Sequence, residues 1–280
     1  MEQYLKNIKV GFIGGGNMAS AIGAGLIHKG VLNPNNVWVS GRTNRTHNFW
    51  KDLGAYPTLK NKEVVSNCEI IFLTVKPHML DDALSTIEKE SDRKFEKKLF
   101  ISVLAGVPLE VLDAKLSRIA SSPRIIRSMP NTPMMVGEGI IVYCSENASP
   151  KDLEVIDALF SYIGITQNVP ESLMNAISGL SGCGPAFAYL VIEALADGGV
   201  RMGVPRPMAT KFAAQVLVGA GKMVLETGRH PGQLKDEVCS PGGTSIAGVH
   251  AMEAGGVRGS MMNAVQASVN KTNELTSQSK

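Results

Sequence analysis

Several features are scarce in this chain, and each scarcity weighs against a class of protein. The four cysteines, Cys68, Cys144, Cys183 and Cys239, stand far apart with no C-x-x-C pair. Three lie in apolar or glycine-rich settings, so reduced thiols in a cytosol-like compartment fit better than a disulfide frame or a zinc site. Lys and Arg never gather into a block and the net charge is +3, so nucleic acid is not indicated as a partner. The opening M-E-Q-Y-L-K-N-I-K lacks an apolar core of about 7–15 residues and is poor in Arg, so neither a secretory signal nor a transit peptide is read there. A cytoplasmic protein is expected. Residues 172–192 hold no Asp, Glu, Lys, Arg or His, but three glycines, three serines, Asn175 and Pro185 interrupt them. Hydrocarbon asks for about 20 predominantly apolar residues, so the run is read as buried within protein and no membrane partner is expected.

What is present starts near the N-terminus. At 280 residues, with 44% hydrophobic and 19% charged residues, the chain can bury a sizeable core in one large or two moderate domains. Ile8, Val10, Phe12 and Ile13 form a short apolar run, read as a strand buried on both faces. The chain then turns through Gly14-x-Gly16-x-x-Ala19 into an apolar-periodic segment carrying Ala21, Ile22, Leu26 and Ile27, with Gly30 as its stop. A turn at Gly14, a bare backbone at Gly16 and a small Ala19 between strand and helix form a dinucleotide-binding fingerprint. The helix N-terminus would receive the pyrophosphate.

A second strand at residues 37–39 ends in Ser40-Gly41-Arg42-Thr43-Asn44-Arg45. NAD-selective sheets usually place a carboxylate here for the ribose 2′-hydroxyl, and none is present. Small and basic groups would accept a 2′-phosphate, so NADPH is expected, with NADH possible; the plainer alternative is that Arg42 and Arg45 cap a solvated loop. Strands are expected at 69–75, 99–103, 124–128, 140–143 and 165–169, and helices at 80–87, 108–116 and 150–162. That alternation demands a mostly parallel sheet with right-handed crossovers. Ligands gather at strand carboxyl ends, which here read Thr74-Val75-Lys76-Pro77, Val103-Leu104-Ala105 and Met129-Pro130-Asn131. Small residues and prolines there leave room for a flat nicotinamide, and nothing metal-binding appears. Lys76 fits a cofactor phosphate and a solvated position equally well.

From about residue 171 strand signals vanish, and helices are expected at 173–181, 186–200, 208–227, 242–253 and 257–275. The expected division is a dinucleotide-binding domain at 1–169 and a helical dimerisation and substrate domain at 170–280. The helix holding Phe187, Tyr189, Leu190, Val191, Ile192, Ala194 and Leu195 is apolar nearly all round, so an intertwined homodimer is expected to cover it. Residues 179–186, G-L-S-G-C-G-P-A, are read as a break between two helices. Ser240-Pro241-Gly242-Gly243-Thr244-Ser245 precedes another helix, where consecutive N–H groups form a nest suited to a small carboxylate. The bland alternative is a turn capped by Thr244 or Ser245.

These segments, with V-K-P at 75–77, A-L-A-D-G-G-V-R-M-G at 194–203 and H-P-G-Q-L-K-D-E-V-C-S-P-G-G-T-S-I at 230–246, resemble the pyrroline-5-carboxylate reductases from end to end. The resemblance implies NAD(P)H-dependent reduction of 1-pyrroline-5-carboxylate to L-proline, the last step of proline synthesis. It also implies an N-terminal Rossmann-type domain and a C-terminal all-α dimerisation domain, often with dimers assembled into larger homo-oligomers. Position by position, it assigns Ile13, Gly14, Gly15, Gly16, Asn17 and Met18 to the pyrophosphate, the Gly41 and Arg42 region to the adenosine ribose, and Asn61 to a cofactor contact. Val75, Lys76 and Pro77, with Val103, Leu104 and Ala105, would flank the nicotinamide. Glu171, Ser240, Gly242, Gly243, Thr244 and Ser245 would form the substrate site, with Ser245 catalytic. The family usually shows Thr at position 245; the hydroxyl survives without its methyl.

The chemistry is consistent with that assignment. A protonated cyclic imine is already electrophilic, so hydride transfer needs orientation more than acid-base machinery, and one hydroxyl near the ring nitrogen suffices to hold or deliver a proton. The β-hydroxyacid dehydrogenases share a similar opening turn but carry a catalytic Lys shortly after a Gly-x-Gly, where this chain has Ala188. A non-catalytic NADP-binding regulator would keep the first loop and lose the one at 241–245, which is retained.

Overall fold

A computed structural model describes residues 1–278. A short helix α1 (Glu2–Asn7) leads into β1 (Val10–Ile13), which is buried at every position. α2 (Asn17–His28) follows the glycine turn and ends before Gly30, whose φ of +70° reverses the chain. β2 (Val37–Ser40), α3 (Asn44–Asp52), β3 (Tyr56–Thr58) and α4 (Asn61–Asn67) complete the first half of the sheet. Neither of these helices nor the third strand stands out in the sequence: α3 carries mostly polar side chains, and β3 is a three-residue edge strand with Pro57 in its middle. β4 (Ile70–Leu73), α5 (Leu80–Glu90), β5 (Leu99–Ser102), α6 (Leu109–Leu116) and β6 (Arg124–Pro130) then alternate as expected. β7 (Gly139–Cys144), α7 (Pro150–Phe160) and β8 (Gly164–Asn168) close the sheet.

The strands lie in the order β3-β2-β1-β4-β5-β6-β7-β8. The first six are mutually parallel, β7 runs antiparallel to β6, and β8 is parallel to β7. Strand order reverses between β1 and β4, the switch point at which such sheets bind ligands. Period-two alternation divides the apolar residues between the two faces. Val10, Phe12, Ile70 and Phe72 pack with Trp50 and Phe160 on one face, whereas Ile13, Ile71 and Leu73 pack with Leu84, Leu112 and Met174 on the other. Phe12 stacks on Phe72 at 4.9 Å and on Trp50 at 5.6 Å between centroids. A Cβ at Gly23 would come within 2.6 Å of Trp50 and 3.0 Å of Phe12, so this glycine lets α2 approach α3 and the sheet.

No strand follows β8 among the described residues. α8 (Glu171–Ile177) runs through a π-helical turn at Ser178–Gly182 into α9 (Gly184–Arg201), followed by α10 (Arg206–Thr227), α11 (Pro231–Val238), α12 (Thr244–Ala254) and α13 (Val257–Gln278). The expected break at 179–186 is therefore a widened turn: the glycines loosen the helix without opening a loop. The stretch Glu171–Arg201 is long and apolar enough, by length and composition alone, to cross a membrane.

The chain forms two compact units, one comprising Met1–Gly182 and the chain from Ser268 onward, the other Cys183–Ala267. The change from sheet to helices begins at residue 171, but α8 stays with the first unit because Met174 is buried in its core. The second unit contains only three buried apolar side chains, Ala196, Ala209 and Ala213. Tyr189, Leu190, Phe212 and Val216 on α9 and α10 are each more than half exposed.

Candidate functional site

The glycine turn is shaped by three neighbours. Ser40 at the end of β2 accepts the Gly14 N–H through its carbonyl at 3.2 Å and its Oγ at 3.3 Å. Thr74 at the end of β4 donates its hydroxyl to Gly14 O at 2.6 Å and to Ile13 O at 3.0 Å. Trp50 Nε1 donates to Gly15 O at 3.2 Å. Gly14 has φ of +100°, and a Cβ there would lie 2.9 Å from Val75 Cγ1; a Cβ at Gly15 would lie 2.5 Å from Thr46 Cγ2. Both are thus fixed by the fold. Gly16 is different: a Cβ there meets nothing within 4 Å. It is also the N-cap of α2, with no side-chain cap, so first-turn N–H groups and the positive end of the helix dipole face open space. Bare backbone, uncapped N–H groups and unfilled space together fit a dinucleotide pyrophosphate.

The parallel register brings the other expected cofactor residues to the same end of the sheet. Ile13 pairs with Ser40 and with Leu73, and Leu73 with Ser102, so residues 13–18, 41–42, 75–77 and 103–105 all leave adjacent strands at their carboxyl ends. Arg42 and Arg45 are exposed, and the Arg42 guanidinium reaches Met79 Sδ at 3.7 Å. Thr43 caps α3 by accepting Thr46 N–H, and His47 Nε2 lies 2.7 Å from Gly41 O. Lys76 and Pro77 are exposed and Val75 and Val103 half-buried, whereas the Leu104 side chain is buried and offers a ligand only its backbone. The Asn61 amide donates to Ala83 O at 3.2 Å and Thr86 Oγ1 at 3.1 Å, so its two donors tie α4 to α5.

Within the second unit, Gly242 has φ of +66°, the Gly243 N–H donates to Ser240 O at 3.0 Å, and Gly243 is the N-cap of α12. No side chain caps this helix. The bland alternative, in which Thr244 or Ser245 closes the end, is not what the chain adopts. Gly242, Gly243, Ile246 and His250 line an open hollow of about 520 Å³ beside that terminus. Of the expected substrate residues, Ser240, Gly242, Gly243, Thr244 and Ser245 belong to this turn. Glu171 belongs to the first unit, where its Oε1 accepts Arg127 Nη1 at 2.7 Å and Leu109 N–H at 2.8 Å.

Sequence reasoning missed Ser40, Trp50 and Thr74 as shapers of the glycine turn. Thr74 carried a signal, a hydroxyl at a strand end one register from the turn; Trp50 carried none, since it lies on a short helix of mostly polar side chains. Burial pushes the Cys68 thiol up to about 12 and the Cys144 thiol to about 11, so both are neutral core groups. Burial, and then its hydrogen bond to Asp157, push the Tyr143 phenol upward. Among the described residues no group of three or more His, Cys, Asp or Glu could hold a metal ion.

A doubly wound sheet whose open glycine turn leads into a helix N-terminus, followed by a helical unit, is the architecture of a nicotinamide-dinucleotide oxidoreductase. A model described as pyrroline-5-carboxylate reductase dimerisation matches residues 171–275, and one described as NADP oxidoreductase, coenzyme F420-dependent, matches residues 9–106. Pyrroline-5-carboxylate reductase 2 of Rattus norvegicus is 41% identical over 273 residues, 96% of this chain and 84% of its own length. Pyrroline-5-carboxylate reductase of Methanosarcina acetivorans is 42% identical over 276 residues, 97% of this chain and 99% of its own. A crystal structure of the Plasmodium falciparum pyrroline carboxylate reductase with NADP bound superposes with a TM-score of 0.84 at 32% identity, covering 97% of this chain and 99% of that one. The chain belongs to the pyrroline-5-carboxylate reductase family.

Proposed function

We infer that the protein reduces the C=N bond of 1-pyrroline-5-carboxylate to give L-proline, the last step of proline biosynthesis, using NADPH. One observation of the structure carries the reading furthest. Each unit contains a helix whose N-terminus is left uncapped by any side chain behind a glycine turn, at α2 and at α12. One suits a dinucleotide pyrophosphate and the other a small carboxylate, the two anions this reaction brings together.

When bound, NADPH would supply hydride for the carbon of the protonated imine, which leaves the ring nitrogen as a neutral amine that takes its further proton from solvent. The chain binds and orients. Gly16 admits the pyrophosphate to the N–H groups of Asn17 and Met18, Arg42 pairs with the 2′-phosphate, and Asn61 borders the cofactor while its amide holds α4 to α5. Val75–Pro77 and the backbone of Val103–Ala105 flank the nicotinamide. In the second unit, the N–H groups after Gly243 hold the substrate carboxylate, with Ser240 and Thr244 shaping the turn. The Ser245 hydroxyl holds the proton at the ring nitrogen. Ala188, in the position where the β-hydroxyacid dehydrogenases carry their lysine, supports an imine rather than a carbonyl substrate.

The protein is a homo-oligomer: a second unit whose only buried core is three alanines leaves its apolar helices to a second copy. Dimers gather further into a larger ring, and with α9 buried between copies the enzyme works away from membranes, in the cytoplasm, where its four free thiols stay reduced. The test is NADPH oxidation by purified protein with 1-pyrroline-5-carboxylate, with aldehydes derived from β-hydroxyacids alongside. Turnover of the imine alone is expected; NADPH binding without turnover, or reduction of the aldehydes, overturns the reading.

A further inference from the structure

Arg127 on β6 is an unusual residue to find in the interior of a sheet: its side chain is only 4% exposed. Burying a guanidinium is costly unless its partners are well placed, and here one atom, Nε, has none. Its two Nη atoms each donate to a side chain of α8. Nη1 donates to Glu171 Oε1 at 2.7 Å and Nη2 to Asn175 Oδ1 at 3.2 Å. These two partners lead in different directions to one segment, residues 103–109. Glu171 Oε1 also accepts the Leu109 N–H at 2.8 Å, at the start of α6, a helix whose N-cap, Pro108, has no side-chain cap to offer. Asn175 Nδ2 donates to Asn273 Oδ1 at 3.0 Å and Thr276 Oγ1 at 3.2 Å on α13. That part of α13 lies against the middle of the segment, since a Cβ at Gly106 would be 3.6 Å from the backbone nitrogen and Oγ1 of Thr276. Gly106 itself has φ of +76°.

The segment is thus fastened at two points, by the sheet where Val103 N–H meets Leu73 O and by Glu171 at Leu109, with the Thr276 turn of α13 lying close to Gly106 between them. Arg127 links the Leu109 fastening, through Glu171, with that turn of α13, through Asn175. We propose that the buried Arg127–Glu171 pair, with Asn175, positions the 103–109 segment so that its strand-proximal end is set against the nicotinamide; this rests on the reading above that residues 103–105 flank that ring. On this proposal Glu171, besides the place in the substrate site that the resemblance implies, serves the reaction through the segment, as a positioning residue.

The proposal separates the nicotinamide half of the cofactor from the adenosine half. Glu171→Ala removes the Leu109 fastening and is expected to raise the NADPH dissociation constant and KM about tenfold and to lower kcat, because small misplacement of reacting groups is expensive. Binding of 2′,5′-ADP, which probes only the adenosine end, should be unchanged. Glu171→Gln, whose amide oxygen still accepts from Leu109 and Arg127, should recover most of the loss. A lower Tm with NADPH affinity and kcat both kept, or an equal loss of NADPH and 2′,5′-ADP binding, overturns the proposal. Should Glu171→Ala fail to fold, Asn175→Ala decides: a raised NADPH KM at unchanged 2′,5′-ADP affinity supports the positioning role, and wild-type constants refute it. Failure of the native enzyme to reduce the imine would instead strike at the proposed function.

Discussion

Gly15 and Gly16 are neighbours in one turn, yet substituting alanine at each should damage different properties. At Gly16 the new methyl enters space in which no protein atom lies within 4 Å, and its φ of −80° suits alanine. Two effects on folding oppose one another. The unfolded chain loses freedom, which favours folding by about 0.4–1 kcal/mol, while alanine is a poorer N-cap than glycine by an amount of about the same size. Unfolding in urea should therefore change by less than about 0.5 kcal/mol. The cofactor fares otherwise, because the methyl stands where the pyrophosphate approaches the backbone. An overpacking cost of about 1–3 kcal/mol converts to NADPH binding weaker by about 5- to 160-fold. At Gly15 the methyl would lie 2.5 Å from Thr46 Cγ2 and 2.8 Å from Val39 Cγ1. Gly15→Ala should lose about 1–3 kcal/mol of stability to overpacking. Titration of NADPH by fluorescence and urea unfolding of both variants make the test. Wild-type NADPH affinity in Gly16→Ala would refute the assignment of that open space to the pyrophosphate.

Ser245→Ala should keep the fold and lose at least about tenfold in kcat with little change in KM, as expected for a hydroxyl acting on the reacting nitrogen; an unchanged kcat removes Ser245 from the chemistry. Arg42→Ala should lower kcat/KM for NADPH by at least about tenfold while sparing NADH, because only the 2′-phosphate meets a charged donor; equal losses would place Arg42 outside the cofactor site. The folded protein holds the Cys68 thiol up at about 12 and the Cys144 thiol at about 11, against an ordinary value of 9.0, by burying them. The neutral form is favoured in the fold, so the stabilisation is complete below pH 9 and lost as pH rises through the window from 9 to about 12. Urea midpoints should fall steeply above pH 9, and less so in Cys68→Ala; a flat profile contradicts the burial of these thiols.

The features legible in the sequence were those that local chemistry dictates. The strands of the central sheet announce themselves because burial on both faces leaves continuous apolar runs, as in Ile70–Leu73. The turn is legible because Gly14 takes a φ of +100° that favours glycine and Gly16 leaves the backbone bare where the pyrophosphate is expected. β3 and α3 were illegible for the converse reason: Tyr56 and Thr58 lie at a sheet edge, and α3 is fixed by one buried side chain, Trp50, whose indole reaches Gly15 across the fold. At the candidate site, the resemblance in residues 230–246 marked the α12 turn, and the structure adds that neither Thr244 nor Ser245 closes it. The Arg127–Glu171–Asn175 set lay beyond sequence reasoning, since its members come from β6 and α8 and act on α6 and α13. An arginine in the middle of β6 reads as noise until its partners are placed.

The most direct experiment is a label-transfer turnover: native protein, 1-pyrroline-5-carboxylate and NADPH deuterated on the transferable position of the nicotinamide ring, with the product analysed by mass spectrometry and proton NMR. L-proline carrying one deuterium on the ring carbon that was double-bonded to nitrogen is the expected result. Unlabelled product, or NADPH bound and left unoxidised beside unchanged imine, would contradict hydride transfer to the C=N bond.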